Sequence, residues 1–178
     1  MKYFYASYRI DKNKPATLFF KKSLNENPIE IVSPYKIYND NNVQLSGYYP
    51  SKTSSILAFS VTKDGSDMRE IRFVNLDTRK NLEDKITNVR YSNVSWHKNE
   101  GVFYKKNINV DRFAVDSTYQ LYYHKIGNRQ EEDKLVYDGS ASKTSFGFFT
   151  TDQKLFIIEA GDEEDRKSTR LNSSHWSS

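Results

Sequence analysis

The chain has 178 residues and a formal charge of +4, from 27 basic and 23 acidic side chains. That length suits one domain, and the scattering of the basic residues argues against a nucleic-acid footprint. There is no cysteine, which excludes disulfides and thiolate metal sites, and no run approaches the roughly 18 apolar residues that span a bilayer.

Aromatic residues make up 15% of the chain, and such residues suit half-buried pleated surfaces, so the composition points to an all-β fold. In chain order, residues 2–8 (KYFYASY) open a pattern that returns at 55–60 (SILAFS), 100–105 (EGVFYK) and 154–159 (KLFIIE). The starts lie roughly 45–55 residues apart, the period of propeller blades. A second type of segment follows the first three: 16–24 (ATLFFKKSL), 69–78 (REIRFVNLDT) and 119–128 (YQLYYHKIGN). Each alternates apolar and polar residues over part of its length, as a strand with one wet face does. Turn-forming residues separate the two types: 11–15 (DKNKP), 63–67 (KDGSD) and the longer 107–118.

Further strands are expected at 29–32, 43–49, 90–96 and 134–137. Residues 80–89 have some helical periodicity but are short, and no segment gives a convincing amphipathic helix. Four short strands per repeat is the blade pattern. The expected architecture is a partial β-propeller over 1–161, with about three four-stranded antiparallel blades: 1–43, 44–90, 91–140 and the start of another at 145–161. Residues 162–178 are charged and then serine-rich, without apolar pattern. They read as a disordered terminus or as an artefact, since 166–175 (RKSTRLNSSH) resembles a translated sequencing adaptor.

The catalytic inventory is thin. There is no G-x-S-x-G nucleophile elbow. The three histidines are His97, His124 and His175, and none has a second ligand at metal spacing, so neither a catalytic residue, a metal site nor a cofactor is expected. His124 reads as a strand residue with a satisfied ring nitrogen. Trp96 reads as structural, filling space between neighbouring blades. Tyr104-Lys105-Lys106 could stack bases, but a ring turned inward and a lysine outward explain it more simply.

Three stretches resemble the N-terminal propeller of the prolyl oligopeptidase family of serine peptidases. Residues 64–73 (DGSDMREIRF) are similar to its G-S-D-[WM]-x-x-I-x-[FV] segment, 95–104 (SWHKNEGVFY) to its W-x-x-D-x-x-G-[FV]-F-Y, and 121–137 (LYYHKIGNRQEEDKLVY) to its L-Y-Y-H-x-[LI]-G-T-x-Q-x-x-D-x-L-[VC]-[YF]. They occur in the family's order, and the likeness covers residues 44–149 well and 2–43 loosely. Asn99 stands where the family usually has Asp, Asn128 where it has Thr, and Ser33-Pro34-Tyr35 where it often has Asp-Pro-Asn.

The resemblance implies a propeller of the seven-bladed type. It also implies that this chain is a fragment gating peptide access to an α/β-hydrolase domain of the same parent chain, which would cleave short peptides after proline. On this reading the fragment is inactive alone and, with cut blade faces, poorly stable. Two residues carry functional expectations by resemblance only. Asp67 matches an aspartate that faces the catalytic domain near a substrate-holding arginine; its alternative is a turn aspartate capping its own loop. Tyr91 resembles an aromatic lining an outer substrate subsite; its alternative is blade packing. No nucleic-acid or membrane partner is expected. The parent would be soluble, cytoplasmic or periplasmic. The competing reading is a stand-alone propeller that binds partner proteins without peptidase activity.

Overall fold

The computed structural model describes residues 4–90, 92–108, 119–139, 146–151, 154–159 and 170–174. The chain falls into two compact units, 1–87 and 88–178. Its strands form four antiparallel sheets. The first holds β1 (Phe4–Tyr8), β2 (Thr17–Lys21) and β3 (Ile29–Val32), and the second holds β4 (Val43–Pro50), β5 (Ile56–Lys63), β6 (Met68–Asn75) and β7 (Lys80–Arg90). The third holds β8 (Val94–His97), β9 (Gly101–Asn107), β10 (Tyr119–Lys125) and β11 (Lys134–Asp138), and the fourth β12 (Phe146–Thr151), β13 (Lys154–Glu159) and β14 (Arg170–Ser174).

Every sheet pairs strands that are neighbours in sequence, and described connections such as 64–67 and 98–100 are short polar turns. The two central sheets have four strands each. The recurring aromatic segments are β1, β5, β9 and β13, and each is followed by its antiparallel partner β2, β6, β10 or β14. The turn between β5 and β6 shows how local chemistry sets the register. Asp64 and Gly65 both take positive φ, 53° and 68°, and the Ser66 amide donates to the Lys63 carbonyl at 2.9 Å. That is the left-handed turn Asp-Gly favours, seated within the loop 64–67 that sets Thr62 opposite Arg69.

In the first unit, the first two sheets share one apolar layer. Leu18, Phe20, Ile31 and Val32 pack in a single cluster with Val43, Leu57, Phe59, Val61, Val74 and Leu76. Leu57 pairs with Val74 and Phe59 with Arg72, so alternation puts Leu57, Phe59 and Val61 on that face while Ala58 and Ser60 take the other. In the second unit, Phe103, Tyr119, Leu121 and Tyr123 of the third sheet pack with Phe146, Phe148, Leu155 and Ile157 of the fourth. Burying one such side chain fully is worth about 1.5–3 kcal/mol. Two polar links reinforce this second layer: Thr150 Oγ1 donates to the Trp96 carbonyl at 2.7 Å and Asn93 Nδ2 to the Phe148 carbonyl at 3.2 Å.

Four elements differ from the sequence reading. The strand expected at 90–96 is not continuous: Arg90 ends β7, and β8 begins only at Val94, after Ser92 and Asn93 outside any strand. Residues 80–89 belong to a strand, β7, although their apolar spacing looks partly helical. Asn88 takes φ 57°, and the alternation slips there, so that Ile86 and Val89 are both buried three residues apart. One short helix, α1 (Pro34–Tyr38), was not expected. Its ends make it, not its periodicity: Ser33 caps it, Pro34 opens it, and Asn39 closes it at φ 50° with its amide on the Tyr35 carbonyl at 2.8 Å. Within the tail set aside as disordered or artefactual, Arg170–Ser174 pairs with β13 from Glu159 to Leu155. Backbone groups on a strand edge accept a partner whatever its side chains, so no apolar pattern announces it.

Gly101 marks where the third sheet is tightest. A Cβ there would run into the His124 carbonyl oxygen and lie 2.6 Å from the Tyr123 phenol oxygen. Gly147 in β12 has open space around it. Gly101→Ala is therefore expected to lower stability by about 1–3 kcal/mol, and Gly147→Ala to leave it unchanged or raise it by up to about 1 kcal/mol. Urea unfolding followed by tryptophan fluorescence distinguishes the two.

Candidate functional site

Asp67 follows the Asp64-Gly65 turn and immediately precedes β6. Local hydrogen bonds hold its backbone on both sides: Thr62 Oγ1 donates to the Ser66 carbonyl and, at 3.3 Å, to the Met68 carbonyl, and the Met68 amide donates to Ser66 Oγ at 3.1 Å. The residue is exposed. A carboxylate on a short, pinned hairpin can be offered to a cationic partner at little entropic cost. Tyr91 lies outside the described residues; the strand before it, β7, ends at Arg90.

The structure adds two polar clusters. In the first unit, Glu70 and Arg72 continue the apolar face of the second sheet toward its hairpin end, where Val61 pairs with Glu70. Tyr38 of α1 donates to Glu70 Oε1 at 2.6 Å, and Lys85 Nζ lies 3.0 Å from Glu70 Oε2. The Arg72 guanidinium sits over the Tyr38 ring at 5.9 Å. Burial, then the Glu70 carboxylate, pushes the Tyr38 phenol far above its ordinary value, so it stays a donor. This cluster fastens α1 to the rim of the sheet.

In the second unit, His124 Nδ1 lies 2.7 Å from Asp133 Oδ1, and the side chains are 0% and 1% exposed. Tyr104 donates to the other oxygen, Asp133 Oδ2, at 2.8 Å. Burial and Asp133 raise the Tyr104 phenol well out of its usual range. A carboxylate orienting an imidazole is half of a hydrolytic triad, but this pair is sealed inside the sheet, where no substrate reaches it. It ties the loop before β11 to β9 and β10. The sequence reading expected a satisfied ring nitrogen on His124 and missed its partner. His124 and Asp133 both stand in the stretch quoted for the resemblance, but the register shift between Leu121 and Tyr122 that sets the course of β11 leaves no mark in the alternation.

His97 is buried between Phe103 and Tyr123, with ring centroids at 5.7 and 6.0 Å and edge-on geometry. Burial, reinforced by Lys98, holds its imidazole below the ordinary histidine value. Burial and Glu100 push the Tyr123 phenol up to about 12. Beside them, Glu100, Tyr123, Lys125, Asn128, Glu132 and Lys134 line a shallow cleft. Among the described residues, no cluster of three or more His, Cys, Asp or Glu could hold a metal ion.

Comparison with known proteins places the whole chain. The sequence model described as "Prolyl oligopeptidase, N-terminal beta-propeller domain" matches residues 1–177. A prolyl endopeptidase from Elizabethkingia miricola is 25% identical over 160 residues, covering 86% of this chain and 23% of the relative. A prolyl oligopeptidase from Omphalotus olearius is 30% identical over 122 residues, covering 60% and 16%. Among solved structures, a prolyl endopeptidase studied for inter-domain dynamics in catalysis and specificity superposes with a TM-score of 0.77 at 17% identity, covering 98% of this chain and 25% of that one. The apo form of prolyl oligopeptidase B from Galerina marginata gives 0.75 at 19% identity, covering 97% and 27%. The chain thus spans about a quarter of the length of these proteins.

Two outcomes follow from the buried groups. Asp133→Ala leaves His124 and Tyr104 without their shared acceptor and is expected to cost about 3–5 kcal/mol, against about 1–3 kcal/mol for Tyr104→Phe, by chemical denaturation. His97 has a folded value below its unfolded value of about 6.5. As pH falls through that value the unfolded chain takes up a proton that the folded chain refuses, so stability drops. Melting curves recorded between about pH 7.5 and 5.5 should show this loss, and His97→Gln should flatten it.

Proposed function

The chain belongs to the prolyl oligopeptidase family, as part of its N-terminal β-propeller domain, and on that premise we propose that it is a non-catalytic, access-controlling part of a serine endopeptidase acting on short peptides. The observation that carries this reading is the repeat itself: aromatic-led antiparallel sheets that share apolar layers, over a sequence without a nucleophile elbow. Sheets fastened face to face within each unit offer a firm surface and, among the described residues, no open catalytic group. Its contribution to peptide hydrolysis is exclusion: an unfolded segment passes, a folded domain does not. The catalytic serine, histidine and aspartate then belong to an α/β-hydrolase domain of the same parent protein.

Asp67 is the residue we assign to the contact between the two domains. Its pinned, exposed hairpin suits a charge-assisted hydrogen bond to an arginine that holds the substrate backbone. Tyr91 we assign to an outer subsite, where an aromatic face packs against an apolar peptide side chain.

The test uses the product of the complete reading frame, assayed on a short proline-containing peptide and on a folded protein displaying the same sequence. Cleavage of the peptide alone, after proline, is expected; equal cleavage of both contradicts exclusion. Asp67→Ala is expected to lower kcat/KM on the peptide by about ten- to a hundredfold, the loss of a hydrogen bond to a charged group. Titration of the active serine should remain unchanged.

A further inference from the structure

Among the described residues, β1 forms the end of the first sheet, beside β2. Its sequence, Phe-Tyr-Ala-Ser-Tyr, carries no charge and no proline. It meets β2 in unbroken register, from Phe4 opposite Lys21 to Tyr8 opposite Thr17. Other edge strands are built differently. β3 carries Glu30 and a register shift against β2, and β4 has a shift between Leu45 and Gly47 and ends on Pro50. β7 carries Lys80, Glu83, Asp84, Lys85 and Arg90, and β11 carries Lys134 and Asp138 beside a shift of its own. Charge, proline and bulges are the devices that stop a sheet edge from pairing with another chain. β1 has none of them.

The strand is also accessible. Phe4 is 38% and Tyr8 44% exposed, and Ala6 and Ser7, which point to opposite faces, are both exposed. An extended backbone with small side chains in water on both faces offers its outer N–H and C=O groups to a further strand. The sequence of β1 is complementary to itself. Antiparallel pairing of two β1 strands about a two-fold axis at Ala6 sets Ala6 opposite Ala6, and Phe4 of each copy opposite Tyr8 of the other. Two aromatic cross-strand pairs then form at once, with a small residue where the axis passes. Tyr8 already stacks on Phe19, with ring centroids 4.5 Å apart and planes 12° from parallel, so each new pair extends an existing aromatic row. On the other face, Tyr5 packs against the apolar cluster of the first unit, and pairing carries that layer on toward the second copy.

We propose that β1 is a self-association edge whose partner is the β1 strand of a second copy of this chain. The two three-stranded sheets join into one antiparallel sheet in the order β3-β2-β1-β1-β2-β3. Backbone hydrogen bonds supply the attraction, and the Phe4–Tyr8 pairs fix the register. One short strand from each copy makes a small interface, so the dimer is weak and forms at high concentration. The inference is independent of the peptidase reading, since it rests on the edge of one sheet.

The experiment is sedimentation equilibrium of the intact chain from about 10 μM to about 1 mM, the range of weak association. A monomer–dimer equilibrium is expected. Ala6→Lys and Ala6→Glu each set like charges opposite one another across the axis, and each should weaken the dimer about fivefold. An equal mixture of the two variants sets Lys opposite Glu and should restore it. That recovery separates a lost contact from a lost fold, because a variant that cannot fold does not recover on mixing. Leu135→Lys changes a residue of β11 that is 50% exposed and should leave dimerisation unchanged. A monomer at every concentration, assembly that continues beyond the dimer, or Ala6 variants that associate as the unaltered chain does overturns the proposal, as does a mixture that fails to recover.

Discussion

Leu18 and Phe20 from one sheet meet Leu57 and Phe59 from the next across a single apolar layer, and Phe103 and Tyr123 meet Phe148 and Ile157 across another. The rest of the molecule depends on these layers. A three- or four-stranded meander cannot bury its apolar side chains alone, and the second sheet has them on both faces, since Ala58, Ile71 and Phe73 are buried opposite Leu57 and Phe59. Two sheets face to face bury one such face from each. The long aromatic side chains do this well, because each spans much of the gap of about 10 Å between packed sheets.

Polar groups sit where the layers end or where the backbone needs anchoring. Glu70 and Arg72 take over the apolar face of β6 as it nears its hairpin, and Tyr38 bridges them to α1. Asp133 divides its two oxygens between His124 and Tyr104, fixing the loop that launches β11. Each carboxylate has its partners within the same unit, which keeps the desolvation cost of burial in check. None of these groups resembles an open catalytic centre.

Much of the fold is legible in the sequence because sheet meanders are local. Residues 29–32 and 154–159 are strands with the limits their alternation suggests, and Asp64-Gly65 announces its hairpin. What escapes is whatever departs from period two or rests on backbone alone. Asn88 breaks the alternation of β7 with one left-handed residue. Caps make α1 out of five residues, too few for periodicity. Backbone pairing brings Arg170–Ser174 to β13 without an apolar signal. The site is less legible than the fold. Asp67 could be named from a motif and lies on a pinned hairpin, whereas Glu70 and Asp133 are polar residues whose importance appears only when register places them against Tyr38 and His124.

The central claim is that neighbouring sheets hold each other in place through shared side-chain layers. Hydrogen exchange of the Phe59→Ala chain, read by mass spectrometry, tests it most directly. Phe59 is fully buried on β5, and the account predicts faster exchange in β2 of the neighbouring sheet as well as in β5 and β6. Faster exchange confined to β5 and its hydrogen-bonded neighbours, with β2 unchanged, would contradict it.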